Sequence, residues 1–204
     1  VHQANGPYTT IQSAVNALPT SLAGDSCVVI RDTQTYTEQV TVQGITTNGY
    51  RIKIMADPSF VSSAPVISPP ALSTAAFLIK NASVSVQGIH VVGVSSIPYG
   101  IQASSAYATL SSVSVDGGES VYSAGIAISS YSTVAYSNAA VQYAAAIYVS
   151  GEKNSIADST GVNSGTGFAL YLNGASSNTV ARGFFQSSVY SGVYMNAGAR
   201  FNSV

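Results

Sequence analysis

Between Ala145 and Val204 the chain repeats itself, and that repeat limits the folds open to it. The apolar runs Ala146-Ile147-Tyr148-Val149-Ser150, Ala169-Leu170-Tyr171-Leu172-Asn173 and Gly192-Val193-Tyr194-Met195-Asn196 follow at a step of 23 residues (170−147, 193−170). Between them the tripeptides Asn154-Ser155-Ile156, Asn178-Thr179-Val180 and Asn202-Ser203-Val204 recur at a step of 24 (178−154, 202−178). Two short strands per repeat, joined by Gly/Ser/Asn turns, predict a parallel β-solenoid in which each repeat is one coil.

The period extends upstream. Val28/Ile30, Ile52/Ile54, Phe77/Ile79, Ile101/Ala103, Ile126/Ile128, Ile147/Val149, Leu170/Leu172 and Val193/Met195 each flank one central residue. Side chains alternate faces along a strand, so the flanking residues point inward and the central one outward. A second series, Val86, Leu110, Val134, Ile156, Val180 and Val204, predicts a second sheet. The expected fold is all-β: one right-handed parallel β-helix of about eight coils, each of 21–25 residues. The stretch from Asp57 to Ala71 carries Pro58, Pro65, Pro69 and Pro70 and is expected to loop out between coils, since proline cannot donate within a ladder.

Ahead of the strands, Thr9 and Gln12 are spaced as a capping box. Ile11, Ala14, Val15 and Leu18 then share one helical face, and Pro19 stops the helix. Residues 1–24 form an arm and capping helix in this reading and 25–204 the coils, together a single domain. The helix covers an apolar coil end that would otherwise face water. At the other end the chain stops at Val204 on a core position. It is therefore expected to be part of a longer chain, or to meet a partner end to end at that edge.

Composition excludes several functions. Charged residues make up 7% of the chain against a usual figure of roughly 25%. Formal net charge is −1, which gives no electrostatic basis for binding nucleic acid or an anionic membrane. No apolar run reaches the ~18 residues of a membrane span. Cys27 is the sole cysteine, which excludes an internal disulfide framework and a cysteine metal cluster, and it is expected to be buried and inert. No metal or cofactor is expected. Low charge with abundant Ser, Thr, Tyr and Asn suits a secreted or cell-surface protein.

The segment Tyr8-Thr9-Thr10-Ile11-Gln12-Ser13-Ala14-Val15-Asn16-Ala17-Leu18-Pro19 resembles the opening helix of pectinesterases and related right-handed β-helix proteins. So does Val28-Val29-Ile30 followed by Tyr36-Thr37-Glu38-Gln39-Val40-Thr41-Val42. The later coils are similar to repeats of pectate-lyase-like proteins and of bacterial surface proteins. The resemblance implies a polysaccharide lyase or esterase relative, but the catalytic pieces do not carry over. Where the pectinesterase pattern places its nucleophilic Asp, the local match Ser132-Thr133-Val134-Ala135-Tyr136-Ser137-Asn138 has Ala135. A pectate lyase would need calcium-binding carboxylates on the outer face, and the central residues Val29, Lys53, Leu78, Gln102, Ala127, Tyr148, Tyr171 and Tyr194 include none.

Asp116 and Glu119 are spaced for acid–base work, but their Gly-rich setting predicts a solvated turn, and neither His2 nor His90 has an identifiable catalytic partner. Asp158 and Arg182 both sit two residues past a core position and are expected to pair across coils. Asn154, Asn178 and Asn202 are expected to stack as an amide ladder. Tyr148, Tyr171 and Tyr194 should form an outward aromatic strip able to stack on sugar rings. Three function classes stay open: a non-catalytic structural or adhesive segment of a larger surface protein, a carbohydrate-binding module, and a polysaccharide-active enzyme relative. The partner in prospect is a polysaccharide or cell-surface glycan.

Overall fold

The computed structural model describes residues 1–105, 107–196 and 198–204. It is a parallel β-solenoid with one short helix, Ile11–Asn16, at its start. Among the described residues each coil contributes three strands, not two, and each of the three sheets contains seven strands, so the coils number about seven rather than about eight. The first sheet stacks Ser26–Ile30, Ile52–Ala56, Val84–Gln87, Thr109–Ser111, Thr133–Ala135, Ser155–Ala157 and Thr179–Ala181. The second stacks Thr35–Tyr36, Val66–Ile67, His90–Val92, Ser114–Gly118, Asn138–Val141, Thr160–Asn163 and Phe184–Ser187. The third runs from Val40–Val42 through Ala75–Ile79, Ile97–Ala103, Val121–Ile128, Ala145–Val149 and Leu170–Leu172 to Val193–Met195.

All strand pairs are parallel, so equivalent core residues rest on one another. One column is Val28, Ile54, Val86, Leu110, Val134, Ile156 and Val180. Another is Val40, Phe77, Ile101, Ile126, Ile147, Leu170 and Val193. The first column is buried throughout, and in the second only Val193, in the last coil, is partly exposed.

These registers correct the sequence-based alignment. Val28 and Ile52 belong to the first sheet, whereas Phe77 belongs to the third. A regular step of about 24 residues had joined two different sheets. The cause is the proline-rich stretch: it lengthens the step from Ile54 to Val86 to 32 residues (86−54), against 24 (110−86) for the next. Within that stretch Val66–Ile67 is itself a strand of the second sheet. Val204 lies outside the named strands and is exposed, although its neighbour Ser203 bridges to Thr179.

The helix buries Ile11, Ala14 and Val15 over the first coil. Its N-cap is Thr10, one residue later than the spacing suggested, with the Thr10 hydroxyl accepting from the Ser13 amide at 3.1 Å. Gln12 does not reach back to complete a capping box. Instead the Glu38 carboxylate accepts from the Ile11 and Gln12 amides at 2.7 and 2.9 Å. A carboxylate from the coil thereby satisfies donors that the helix leaves free.

The arm is tied down at Asp32. Its carboxylate accepts from the Gln3 amide at 2.7 Å and the buried Tyr36 hydroxyl at 2.7 Å, with His2 at 3.6 Å. Burial by itself would raise the Asp32 carboxyl, but hydrogen bonds from Gln3, Tyr36 and Gln34, aided by His2, hold it below the usual carboxylate range. Burial and the bond to Asp32 push the Tyr36 hydroxyl up.

Turns between the first and second sheets repeat a left-handed residue: Gly88, Ser112, Tyr136, Asp158 and Arg182, with φ from 50° to 69°. A second such column precedes the first-sheet strands and includes Ser83, Tyr107, Tyr131, Lys153 and Ser177. Left-handed conformation costs a non-glycine residue roughly 1–2 kcal/mol. The tight turns need it, and the coils above and below hold it in place.

Asn154 and Asn178 are buried in this second turn, directly after the left-handed Lys153 and Ser177. Asn178 Oδ1 accepts from the backbone and side-chain amides of Asn154 at 2.8 and 2.9 Å, and Asn202 serves Asn178 in the same way at 3.0 and 2.9 Å. Asp158 and Arg182 form an exposed bidentate pair at 2.6 and 2.7 Å. Exposed pairs contribute little to stability.

Two predictions follow from these contacts. Asn178→Ala leaves both Asn154 donors unpaired and should cost about 1–3 kcal/mol in urea denaturation. Asp158→Asn removes the ion pair but keeps a residue suited to the left-handed turn, and its loss should be barely measurable. The Asp32 contribution should be complete above its unfolded pKa of about 3.9 and vanish as pH falls through the lower folded value. The stability gap between the native chain and Asp32→Asn, followed by thermal melts, should therefore close below about pH 4.

Candidate functional site

The outer face of the third sheet carries the column Thr41, Leu78, Gln102, Ala127, Tyr148, Tyr171 and Tyr194 in register. Val29 and Lys53, aligned with these tyrosines by sequence, stand on the first sheet instead. The phase of the strands also explains Cys27. Val28 and Ile30 point inward, so Cys27 faces out and is exposed, contrary to its expected burial.

The three tyrosines occupy the last three coils, and their rings touch. Tyr148 meets Tyr171 edge-on at 5.4 Å and 79°, and Tyr171 meets Tyr194 at 5.3 Å and 50°. The strip is thus a row of tilted rings and not a flat shelf, because edge-to-face contact suits the charge distribution of aromatic rings better than a face-to-face stack.

Two further aromatics complete the cluster. Phe168 lies flat on Tyr194, with centroids 4.4 Å apart at 9°, and also touches Tyr171 at 5.3 Å. Tyr190 joins Phe168 at 5.6 Å and is exposed. Both enter from the segments leading into third-sheet strands, outside the period-two pattern. A strand repeat could not have revealed them, although their position a few residues ahead of the tyrosine strands was a local hint.

Asparagines anchor the rings. Asn173 Nδ2 donates to the Tyr148 hydroxyl at 2.7 Å, and Asn196 Nδ2 donates to the Tyr171 hydroxyl at 3.3 Å and to Asn173 Oδ1. Phe168, Tyr148 and Tyr171 are half-buried, while Tyr190 and Tyr194 are exposed. The result is a fixed aromatic surface with polar groups at its margin, suited to stacking on the apolar faces of sugar rings.

No carboxylate stands in the outward column of this sheet. Asp116, on the second sheet, and Glu119 are exposed, and neither takes part in an ion pair among the described residues. No cluster of three or more His, Cys, Asp or Glu side chains suited to a metal occurs among the described residues. Ala135 sits on the first sheet, half-buried, and presents a methyl group. His90 is half-buried on the second sheet.

No family model matches the chain, and no curated protein matches it. Among solved structures it is similar to a pectin methylesterase crystallised in complex with a hexasaccharide, with a TM-score of 0.60 and 13% identity. The match covers 89% of this chain and 64% of the other, so the chain spans less than two thirds of that protein's length. At this identity the likeness shows the fold alone, a parallel β-helix. Among the described residues no helix is long and apolar enough to cross a membrane.

Phe168→Ala should remove the contacts that hold Tyr171 and Tyr194. The expected outcome is a loss of near-ultraviolet circular dichroism at unchanged far-ultraviolet signal, with about 0.5–1.5 kcal/mol lost per aromatic pair in denaturant titration.

Proposed function

We propose that this chain is a non-catalytic, adhesive β-helix segment of a secreted or cell-surface protein that binds polysaccharide along the aromatic row of its third sheet. The observation that carries the reading is the contiguous cluster of Tyr148, Phe168, Tyr171, Tyr190 and Tyr194, held by ring contacts and by Asn173 and Asn196. Five aromatic rings partly open to water are costly to display unless a ligand covers them. The fold likeness to a pectin methylesterase solved with a hexasaccharide supports sugar polymers as the ligand class. It also favours a compartment outside the cell.

The enzyme reading has the same fold likeness in its favour. Against it stand Ala135, where the local sequence match to the pectinesterase pattern would put the nucleophile, and an outward column without carboxylates. A row of aromatic faces with no acid–base pair beside it holds a chain of sugars without cleaving it.

The test pairs affinity electrophoresis in gels containing pectin, at high and low methyl-ester content, with assays for methanol and unsaturated uronate release. Retardation without product formation is expected, and Tyr171→Ser/Tyr194→Ser should weaken binding roughly tenfold or more. Release of methanol or uronate by the native chain would overturn the non-catalytic reading. Absence of retardation in every glycan gel would overturn the binding one.

A further inference from the structure

The capping helix leaves a cavity of about 620 Å³ beside the first coil. Ala14, Ala17 and Leu18 line it from the helix side, spaced at i, i+3 and i+4 so that they share one face. Two of the three are alanines, whose short side chains leave the space open. Cys27 and Val29 face it from the first strand, where they alternate with the buried Val28 and Ile30. Tyr8 of the arm and Phe60 of the 57–65 loop, both exposed, close its sides.

The rim carries charge of one sign. No carboxylate lines the cavity, whereas Arg31 does. Its guanidinium lies over the Phe60 ring at 4.6 Å, and its Nε stands 3.5 Å from Asp57. The stack on Phe60 occupies the flat face of the guanidinium. The edge, the fork that takes carboxylates, makes no hydrogen bond among the described residues. His2 also lines the cavity, but its Nδ1 accepts from the Ala4 and Asn5 amides at 3.2 Å each.

We infer that this cavity binds a free medium-chain fatty acid, with the alkyl chain against Ala14, Ala17, Leu18 and Val29 and the carboxylate on the free edge of Arg31. Its volume lies within the range of small-molecule pockets, about 300–1,000 Å³. An alkyl chain would cover apolar walls that otherwise face water, Phe60 among them. A sugar would find few partners, since Tyr8 is the one hydroxyl-bearing side chain in the lining. The site therefore differs in chemistry from the aromatic row, which stands in the last three coils.

The test titrates octanoate, octanol and octyltrimethylammonium calorimetrically into the native chain, Arg31→Gln, Ala17→Leu and Tyr171→Ser. In parallel, alkylation of Cys27 by N-ethylmaleimide is followed by mass spectrometry, the sole cysteine reporting occupancy of the cavity. Octanoate should bind roughly tenfold more tightly than octanol, and the cation should not bind. At about ten times its dissociation constant, octanoate should slow alkylation about tenfold, because about a tenth of the cavities stay free. Arg31→Gln should weaken octanoate roughly tenfold and leave octanol unchanged. Ala17→Leu fills the space from an exposed position and should abolish binding of both, while Tyr171→Ser leaves it intact. Melting temperatures matching the native chain show that the variants are folded. Octanol bound as tightly as octanoate, no effect of Arg31→Gln, or octanoate bound without protection of Cys27 would overturn the inference. Protection by phosphatidylglycerol vesicles but not by octanoate would overturn it in favour of a membrane surface.

Discussion

Among the described residues, no strand finds its partner within its own coil. Every backbone N–H and C=O of the sheets points along the axis, so each coil satisfies the one before it and is satisfied by the one after. From this follow the vertical registers, the stacked Ile, Val and Leu columns and the turns repeated at the same corner. A coil shifted by one residue would turn its core side chains to water. The amide ladder through Asn154 and Asn178 holds one corner against that slip, because its bonds form only when equivalent residues lie directly over one another.

Surface and core consequently follow different rules. The inward positions are mostly aliphatic, with Phe77 and Tyr36 as the large exceptions and Asn163 as a buried polar one. Outward positions are free to vary, and the chain uses this freedom in patches: aromatic rings in the last three coils of the third sheet, hydroxyls across the middle of the first. Neither patch is demanded by folding. Tyrosine suits strands, but strand preference does not account for Phe168 and Tyr190, which lie outside strands and still converge on the same rings.

The solenoid was legible in the sequence because its period survives in the apolar residues, which sense only inside and outside. The tyrosine row and the asparagine corner were legible for the same reason, since each falls at a fixed offset from a core residue. Three features were not. The second sheet was hidden because its strands are short and carry residues such as Asn138, Gly161 and Phe184 in place of an apolar alternation. The assignment of Val28 and Ile52 failed because a lengthened coil shifted the phase while preserving the spacing. The cap at Glu38 and the ring of Phe168 arise from contacts between segments 26 and 27 residues apart (38−12, 194−168 and 38−11), and no local pattern records such meetings.

The long second coil has a wider meaning. Between Ile54 and Val86 the chain takes several more residues than its neighbours use, yet the columns above and below it continue unbroken. Residues 57–65 form a loop between the strands Ile52–Ala56 and Val66–Ile67, with Arg31 set over the Phe60 ring at 4.6 Å to hold the excursion against the body. A fold of this kind separates inheritance of the core from invention at the corners. New loops of unrelated length and chemistry can be added one coil at a time, each tried without renegotiating the packing of the rest.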